Sequence, residues 1–413
     1  METIIRKHLE GVRVIDLTAW LAGPFLSMQL AALGAEVIKI ERPGMGDPTR
    51  ASVPFAGPRG VRFAEKTPED IPVIFLKRNR GKKSITLDMK KKRGMEIFRM
   101  LVAKGDVLLE NFAPGTMESF GCDYSVLKEI NPQIIFCSIA GYGQTGPYRD
   151  RTAFDLTIQA TSGIMAVTGY PDGPPLRCGP WIGDLIPGLY GLSAVLAALV
   201  SRGKTGRGER IDLSMQDSCF SMILDEALDL LVSRGIPTRQ GNGNSRAVPW
   251  STFPTQDGNI AICAYTNDQW KVLVGAIQRE DCLEDPRFQN LEDRLKNAHA
   301  VEAIVTEWSK KLRKEEALKI LREKKIPCDP VPEIQEVLED PQLKSRGMIL
   351  ELMHPLSAGT GLKAAGFPIR FTELPADYPG PAPFLGQHNQ EIYTELLNFS
   401  KEEMEQLQKE RII

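Results

Sequence analysis

The sequence predicts an α/β fold, with a large domain built on a mostly parallel sheet and a smaller α+β domain. Three observations carry this. Short runs rich in Val and Ile alternate with helical patterns through the first half of the chain. Proline and glycine punctuate the expected helix ends. Beyond Asp217 the pattern shifts toward charged amphipathic segments.

The elements follow in order. Residues 12–17 read as the first strand. Pro24 then opens a helix that ends near Gly34, with proline in its first turn and glycine past its end. Residues 36–40 and 84–87 are the next strands. A helix with Ile97, Met100, Leu101 and Val102 on one face stops at Gly105. Residues 106–109 and 134–139 return to strand. Strands separated by helices imply a parallel sheet covered on both faces, a Rossmann-like layout. Residues 185–201 form a long apolar helix ending in the Gly-rich basic turn 202–208, and 210–215 is a strand. Residues 220–235 look helical, 241–249 form a loop, 261–265 a short strand, and 268–325 charged helices. After Ile349 short β-like runs alternate with prolines, and a charged helix starts near Ser400. The expected division is 1–217 for the large domain and 218–335 for the small one, with 336–413 after it.

Composition narrows the function. A net charge of −2 over 413 residues shows no global field for nucleic acid or an anionic membrane. Residues 1–10 are charged and lack an apolar stretch, so no secretion signal is expected. Residues 185–200 contain Pro187 and fall short of a roughly 20-residue membrane span. The seven cysteines are scattered, mostly in apolar runs, and read as reduced core residues of a cytoplasmic protein. The four histidines are far apart, so no metal is expected.

The fold invites a dinucleotide, but the first strand runs into Thr18-Ala19-Trp20-Leu21-Ala22-Gly23-Pro24, without the glycines that let a backbone cradle a pyrophosphate. This argues against an NAD-dependent dehydrogenase. Cations gather near strand ends instead: Arg42, Arg78, Arg80, Lys82 and Lys83. Ligands of open α/β sheets bind outside those ends, so a phosphorylated ligand fits, as does plain surface charge. Asp184 precedes the apolar helix. It reads either as a helix cap or as a carboxylate nucleophile that Gly183 leaves accessible.

Several motifs in one order make the chain resemble the class III CoA-transferases, the family of formyl-CoA:oxalate and carnitine CoA-transferases. They are Gly23-Pro24, Gly34-Ala35-Glu36-Val37-Ile38-Lys39-Ile40-Glu41-Arg42-Pro43, Gly46-Asp47, Lys82-Lys83-Ser84-Ile85 and Glu110-Asn111-Phe112-Ala113-Pro114-Gly115. Gly141-Tyr142-Gly143-Gln144-Thr145-Gly146-Pro147-Tyr148, Lys204-Thr205-Gly206-Arg207-Gly208 and Leu385-Gly386-Gln387-His388 complete the series. The resemblance implies an interlocked homodimer acting on an acyl-CoA and a carboxylic acid, with no cofactor beyond CoA. It also implies a large domain built from both ends of the chain, so that 1–217 is its first segment and 336–413 returns to complete it. It assigns catalysis to Asp184, through a mixed anhydride and an aspartyl-CoA thioester. CoA would be held by Leu21, Arg42, Asn79, Lys82, Asn111, Phe112 and Met215, with Phe154 and Asp155 beside them. Arg42 and Lys82 would pair with phosphates, while Phe112 and Met215 would pack on the adenine or the pantetheine arm.

Some positions depart from relatives. Thr152, with Arg151 beside it, and Ser119 stand where some transferases carry a lysine and an arginine. The nearest counterpart of the oxalate enzyme's glycine loop is Gly241-Asn242-Gly243-Asn244. These departures weaken an oxalate or formate assignment. α-Methylacyl-CoA racemases share the fold but need a histidine before the aspartate that matches Asp155. Phe154 stands there and cannot carry a proton. Asp155 reads either as a polar residue behind the active site or as a helix cap. A non-catalytic CoA-binding protein would have no use for a buried carboxylate at Asp184.

Overall fold

A computed structural model describes residues 7–64, 66–357 and 359–413. The expected absence of a leader falls largely on residues outside the described ones. The chain divides into two compact units. The first takes Met1–Ile164, Cys178–Asp225 and Leu343–Ile413, and the second Met165–Arg177 and Glu226–Gln342.

The first unit is built on a six-stranded parallel sheet. Its strands are β1 (Arg13–Asp16), β2 (Glu36–Glu41), β3 (Lys83–Thr86), β4 (Val107–Glu110), β5 (Ile135–Ala140) and β6 (Arg210–Ser214). Their order is β3-β2-β1-β4-β5-β6, that of a doubly wound dinucleotide-binding sheet. Successive residues face opposite sides of the sheet. Val14, Val37 and Val107 therefore pack on one face, with Leu26 and Leu30 of helix α1 (Ala22–Ala32). Ile15, Ile38 and Leu108 pack on the other, with Ile97 and Leu101 of α2 (Lys92–Ala103). The end of the chain joins that second face: Tyr393, Met404, Leu407 and Ile412 are buried in it. The same segment covers the β3 edge. Thr86 N–H donates to Asn389 Oδ1 at 2.8 Å, and Tyr393 Oη donates to the Thr86 carbonyl at 2.6 Å.

Three helices lead to the site: α3 (Asp155–Thr161), α4 (Ile182–Thr205) and α5 (Met215–Ile223). Helix α4 is longer than the expected 185–201. It runs through Gly203, and Gly206 closes it at φ 67°, donating to the Arg202 carbonyl at 2.8 Å. At 24 residues it is long and apolar enough to cross a membrane by length and composition. Within the first unit it packs closely on α1, where a Cβ on Gly191 would sit 2.3 Å from Leu26 Cδ1.

The second unit holds an antiparallel sheet of β7 (Trp250–Thr255), β8 (Gly258–Cys263) and β9 (Cys328–Val331). Its core gathers Phe253, Ile260, Trp270, Leu273, Val305 and Leu318. The division differs from 217/218 and 335/336 at both joins. Helix α5 stays with the first unit because it is tied to α4, Tyr190 Oη lying 2.9 Å from Ser221 Oγ. A small antiparallel sheet of residues 55–57, 60–62 and 71–72, followed by a helix over Val73–Arg78, also went unread. Its strands are too short to show a period.

Candidate active site

The sheet order reverses between β1 and β4, so a crevice opens beyond their carboxyl ends. The loop after β1 is clamped across that crevice. Ala19 N–H donates to Asn111 Oδ1 at 2.8 Å, and Asn111 Nδ2 donates to the Ala19 carbonyl at 2.8 Å. The clamped loop turns at Trp20, which holds a left-handed φ of 70°, and Arg78 Nη1 donates to its carbonyl at 3.2 Å.

Buried charge lies beneath the loop. Asp16, at the end of β1, accepts from Ser27 Oγ at 2.6 Å and lies 3.1 Å from Lys82 Nζ. Burial pushes its pKa up, but Lys82, Lys39 and the hydroxyls of Ser27 and Thr18 bring it down to about 2. Lys82 Nζ also donates to the Pro24 carbonyl at 3.0 Å and to Asn79 Oδ1 at 2.8 Å. These contacts bear on two of the expected CoA ligands. The three protons of the Lys82 ammonium are matched by three protein acceptors, leaving none for a phosphate. Asn79 is fully buried, with its amide shared between Lys82 and the Phe75 carbonyl. Both residues brace the floor of the site.

The wall is made by the starts of α3 and α4. Asp155 Oδ1 accepts from Gly183 N–H at 2.8 Å, and its Oδ2 from Gln159 Nε2 at 2.9 Å. Gln159 Oε1 in turn accepts from Cys178 N–H at 2.8 Å. A Cβ on Gly183 would come within 2.8 Å of the Asp155 carbonyl, so only glycine allows this approach. The cap position of α3 belongs to Phe154, and Asp155 instead ties α3 to α4. Asp184 likewise does not cap its helix: Trp181 holds the cap position, and Asp184 accepts from the Ala22 N–H of α1. Burial, then the Asp155 charge, raises the Asp184 pKa to about 6, against the pull of Arg78 and the Ala22 N–H. Near neutral pH it is an ionised carboxylate with few donors around it.

Asp184 opens onto a cleft of about 560 Å³, and Leu21, Asn111, Phe112, Phe154, Asp155 and Met215 line the same cleft. Arg42 is exposed and lines an adjoining pocket of about 310 Å³ that shares Phe112 as a wall. Trp20, Trp181 and Ile74 make the cleft largely apolar. Its cations are Arg78, Arg149 and Arg151. Arg78 had been legible only as one of several basic residues before β3. Thr152 and Arg151 reach the cleft, whereas Ser119 bonds the Thr116 carbonyl at 2.7 Å. The Gly241–Asn244 loop belongs to the second unit, where Asn242 Nδ2 donates to Thr252 Oγ1 at 2.8 Å.

The model of CoA-transferase family III matches residues 9–389. The succinate–glutarate CoA-transferase of Agrobacterium fabrum is 34% identical, over 94% of this chain and 95% of that protein. The succinyl-CoA:mesaconate CoA-transferase of Haloarcula marismortui is 36% identical, over 94% and 96%. Among solved structures, a CAIB/BAIF family protein from Brucella suis matches with a TM-score of 0.82 and 35% identity, covering 95% of this chain and all 100% of that one.

Proposed function

The chain belongs to CoA-transferase family III and is a CoA-transferase; from that premise we propose that Asp184 carries the transfer covalently, with a succinyl-type acyl-CoA as donor. One observation supports the assignment above others. Asp184 is a carboxylate at the wall of an apolar cleft, held by one backbone N–H and free of any capping duty.

The steps balance as two exchanges and their reversal. A carboxylate oxygen of Asp184 attacks the acyl-CoA carbonyl, forming a mixed anhydride and expelling CoA thiolate. The thiolate attacks the aspartyl carbonyl, forming the enzyme thioester and releasing the donor acid as its carboxylate. The acceptor carboxylate then attacks the thioester, re-forming an anhydride and freeing thiolate. Attack of thiolate on the acceptor's acyl carbon yields the new acyl-CoA and restores Asp184. No step needs a metal or a redox cofactor, and the thioester energy is conserved throughout. Arg42 would pair with a CoA phosphate, while Phe112 and Met215 would pack on its apolar arm. Phe154, having no proton to exchange, argues against a racemase.

Asp184→Asn tests the reading. It should abolish transfer while the variant stays folded and binds CoA, because an amide is a poor nucleophile. Wild-type protein given acyl-CoA without acceptor should carry CoA as a thioester on the Asp184 peptide, cleavable by hydroxylamine. A fully active Asn variant with no modified peptide refutes it.

We also propose a homodimer that exchanges subunits slowly. Leu189, Tyr190 and Val200 of α4 and Phe220 and Met222 of α5 are exposed, and a second copy would cover them. Sedimentation should find a dimer, and mixing tagged with untagged protein should give heterodimer only slowly. A stable monomer ends the proposal. The seven free thiols suit a reducing compartment, and the cytoplasm is the proposed location.

A further inference from the structure

Arg78 stands apart from the other cations of the cleft. It ends the helix Val73–Arg78, is half-buried, and lines the same cavity as Asp184. Its one protein hydrogen bond runs from Nη1 to the Trp20 carbonyl, and it makes no ion pair among the described residues. A guanidinium carries five N–H donors in a planar fork, and one such bond leaves most of them unmatched. The acids within its electrostatic reach are Asp184 and Asp47. Asp47 is already matched by Lys39 Nζ at 3.0 Å and by Thr49 N–H at 2.9 Å. The other two arginines are differently disposed. Arg151 is exposed, its guanidinium carbon 3.5 Å from the Tyr148 ring centre, and Arg149 has a buried Nε unmatched among the described residues, but neither is among the groups acting on Asp184.

A cation that lines the same cleft as this carboxylate, and is not bonded to it, keeps unmatched donors for a ligand. The walls there are Trp20, Ile74, Phe154 and Trp181, which offer an acyl chain largely apolar contact and carry no charge to meet a second carboxylate. An acid with a charged far end would be rejected by such walls unless a cation met it. We infer that Arg78 is the specificity-determining residue of this site, receiving the second carboxylate of a dicarboxyl acyl group while the first is bonded to Asp184. The arrangement selects short dicarboxyl substrates over monocarboxyl ones of the same length. Arg78 also braces Trp20, so the aromatic wall and the charge-recognising group are set by one side chain. This rests on the reading of Asp184 as the nucleophile.

The test uses the first half-reaction, the formation of enzyme-bound CoA without acceptor, with succinyl-CoA and butyryl-CoA as probes. They share a four-carbon chain and differ in the terminal carboxylate. Wild-type protein should prefer succinyl-CoA. Arg78→Met should cut the second-order rate constant of modification by succinyl-CoA about 10- to 100-fold more than that by butyryl-CoA, the loss of one charge-assisted pair. Arg78→Lys should keep part of the preference. In wild type, which needs no variant to fold, free succinate should inhibit the butyryl-CoA reaction more strongly than free butyrate. Equal losses with both thioesters would mean that Arg78 acts on the reacting centre or on folding, and would overturn the inference, as would no loss. A wild type modified by butyryl-CoA and not by succinyl-CoA overturns the inference while the transferase reading stands. A wild type modified by neither overturns both.

Discussion

Replacing Asp155 by Asn should make the enzyme work at lower pH. Asp155 is 3% exposed and its charge is the second cause, after burial, that lifts Asp184 from 3.8 to about 6. The rise is close to two units, and burial contributes more of it than Asp155 does. Removing the Asp155 charge should therefore move the acid limb of kcat/KM down by on the order of one pH unit. The sign follows from the proposed role: as the proposed nucleophile, Asp184 must be ionised to attack, so a lower pKa extends activity toward acid. With the limb near 6, about a tenth of Asp184 is ionised at pH 5, and with the limb one unit lower about half is, so activity there should rise about fivefold relative to the plateau. The substitution carries a structural cost. In Asp155→Asn the amide oxygen still accepts from Gly183 N–H, but the amide nitrogen would meet Gln159 Nε2, donor against donor. Turning the Gln159 amide only moves the mismatch to Cys178 N–H. The expected loss of stability is about 1–3 kcal/mol, read by denaturant unfolding. A folded variant whose acid limb stays in place, or moves up, would refute the coupling of the two carboxylates.

Two further outcomes separate ligand-facing cations from structural ones. Arg42→Ala should raise the dissociation constant for CoA by about 10- to 100-fold, measured by calorimetry, with little change in unfolding; unchanged affinity would make Arg42 simple surface charge. Lys82→Met should do the reverse, destabilising the fold by about 3–5 kcal/mol because Asp16 is left as a buried charge without its nearest cation. Asp16 titrates below its unfolded value, so its stabilisation is present above about pH 4 and disappears as pH falls toward 2. In the variant its pKa rises, and acid unfolding should begin at higher pH. Weakened CoA binding with normal stability would return Lys82 to the ligand.

The sheet was legible because each of its strands is a short Val- and Ile-rich run set off by helix and turn signals, and the family motifs lie at the strand ends. The site was legible only where one residue type permits one role. Phe154 excludes a proton carrier whatever surrounds it. Lys82 stayed ambiguous because a lysine beside a sheet strand looks the same whether it serves a phosphate or Asp16, its partner 66 residues away. Asp155 and Asp184 both read as either caps or functional carboxylates. What decides between those readings is a bond to Gly183 from 28 residues away and a donor on α1, and neither leaves a periodic trace. Arg78 was one basic residue among several until the cleft formed around it.

The return of residues 384–413 to the first unit sets a timetable for synthesis. Thr86 of β3 waits for Asn389 and Tyr393, 303 and 307 residues later. At about 5–20 residues per second, a ribosome needs on the order of 15–60 s to cover such an interval. Throughout it, the sheet face that will meet Tyr393, Met404 and Leu407 is open to water and to other nascent chains. The strands of the second unit lie within one continuous stretch, Glu226–Gln342, so that unit can mature during the wait. Its completion comes first, although its residues are made later, and chaperone dependence should concentrate on the half of the protein that emerges earliest.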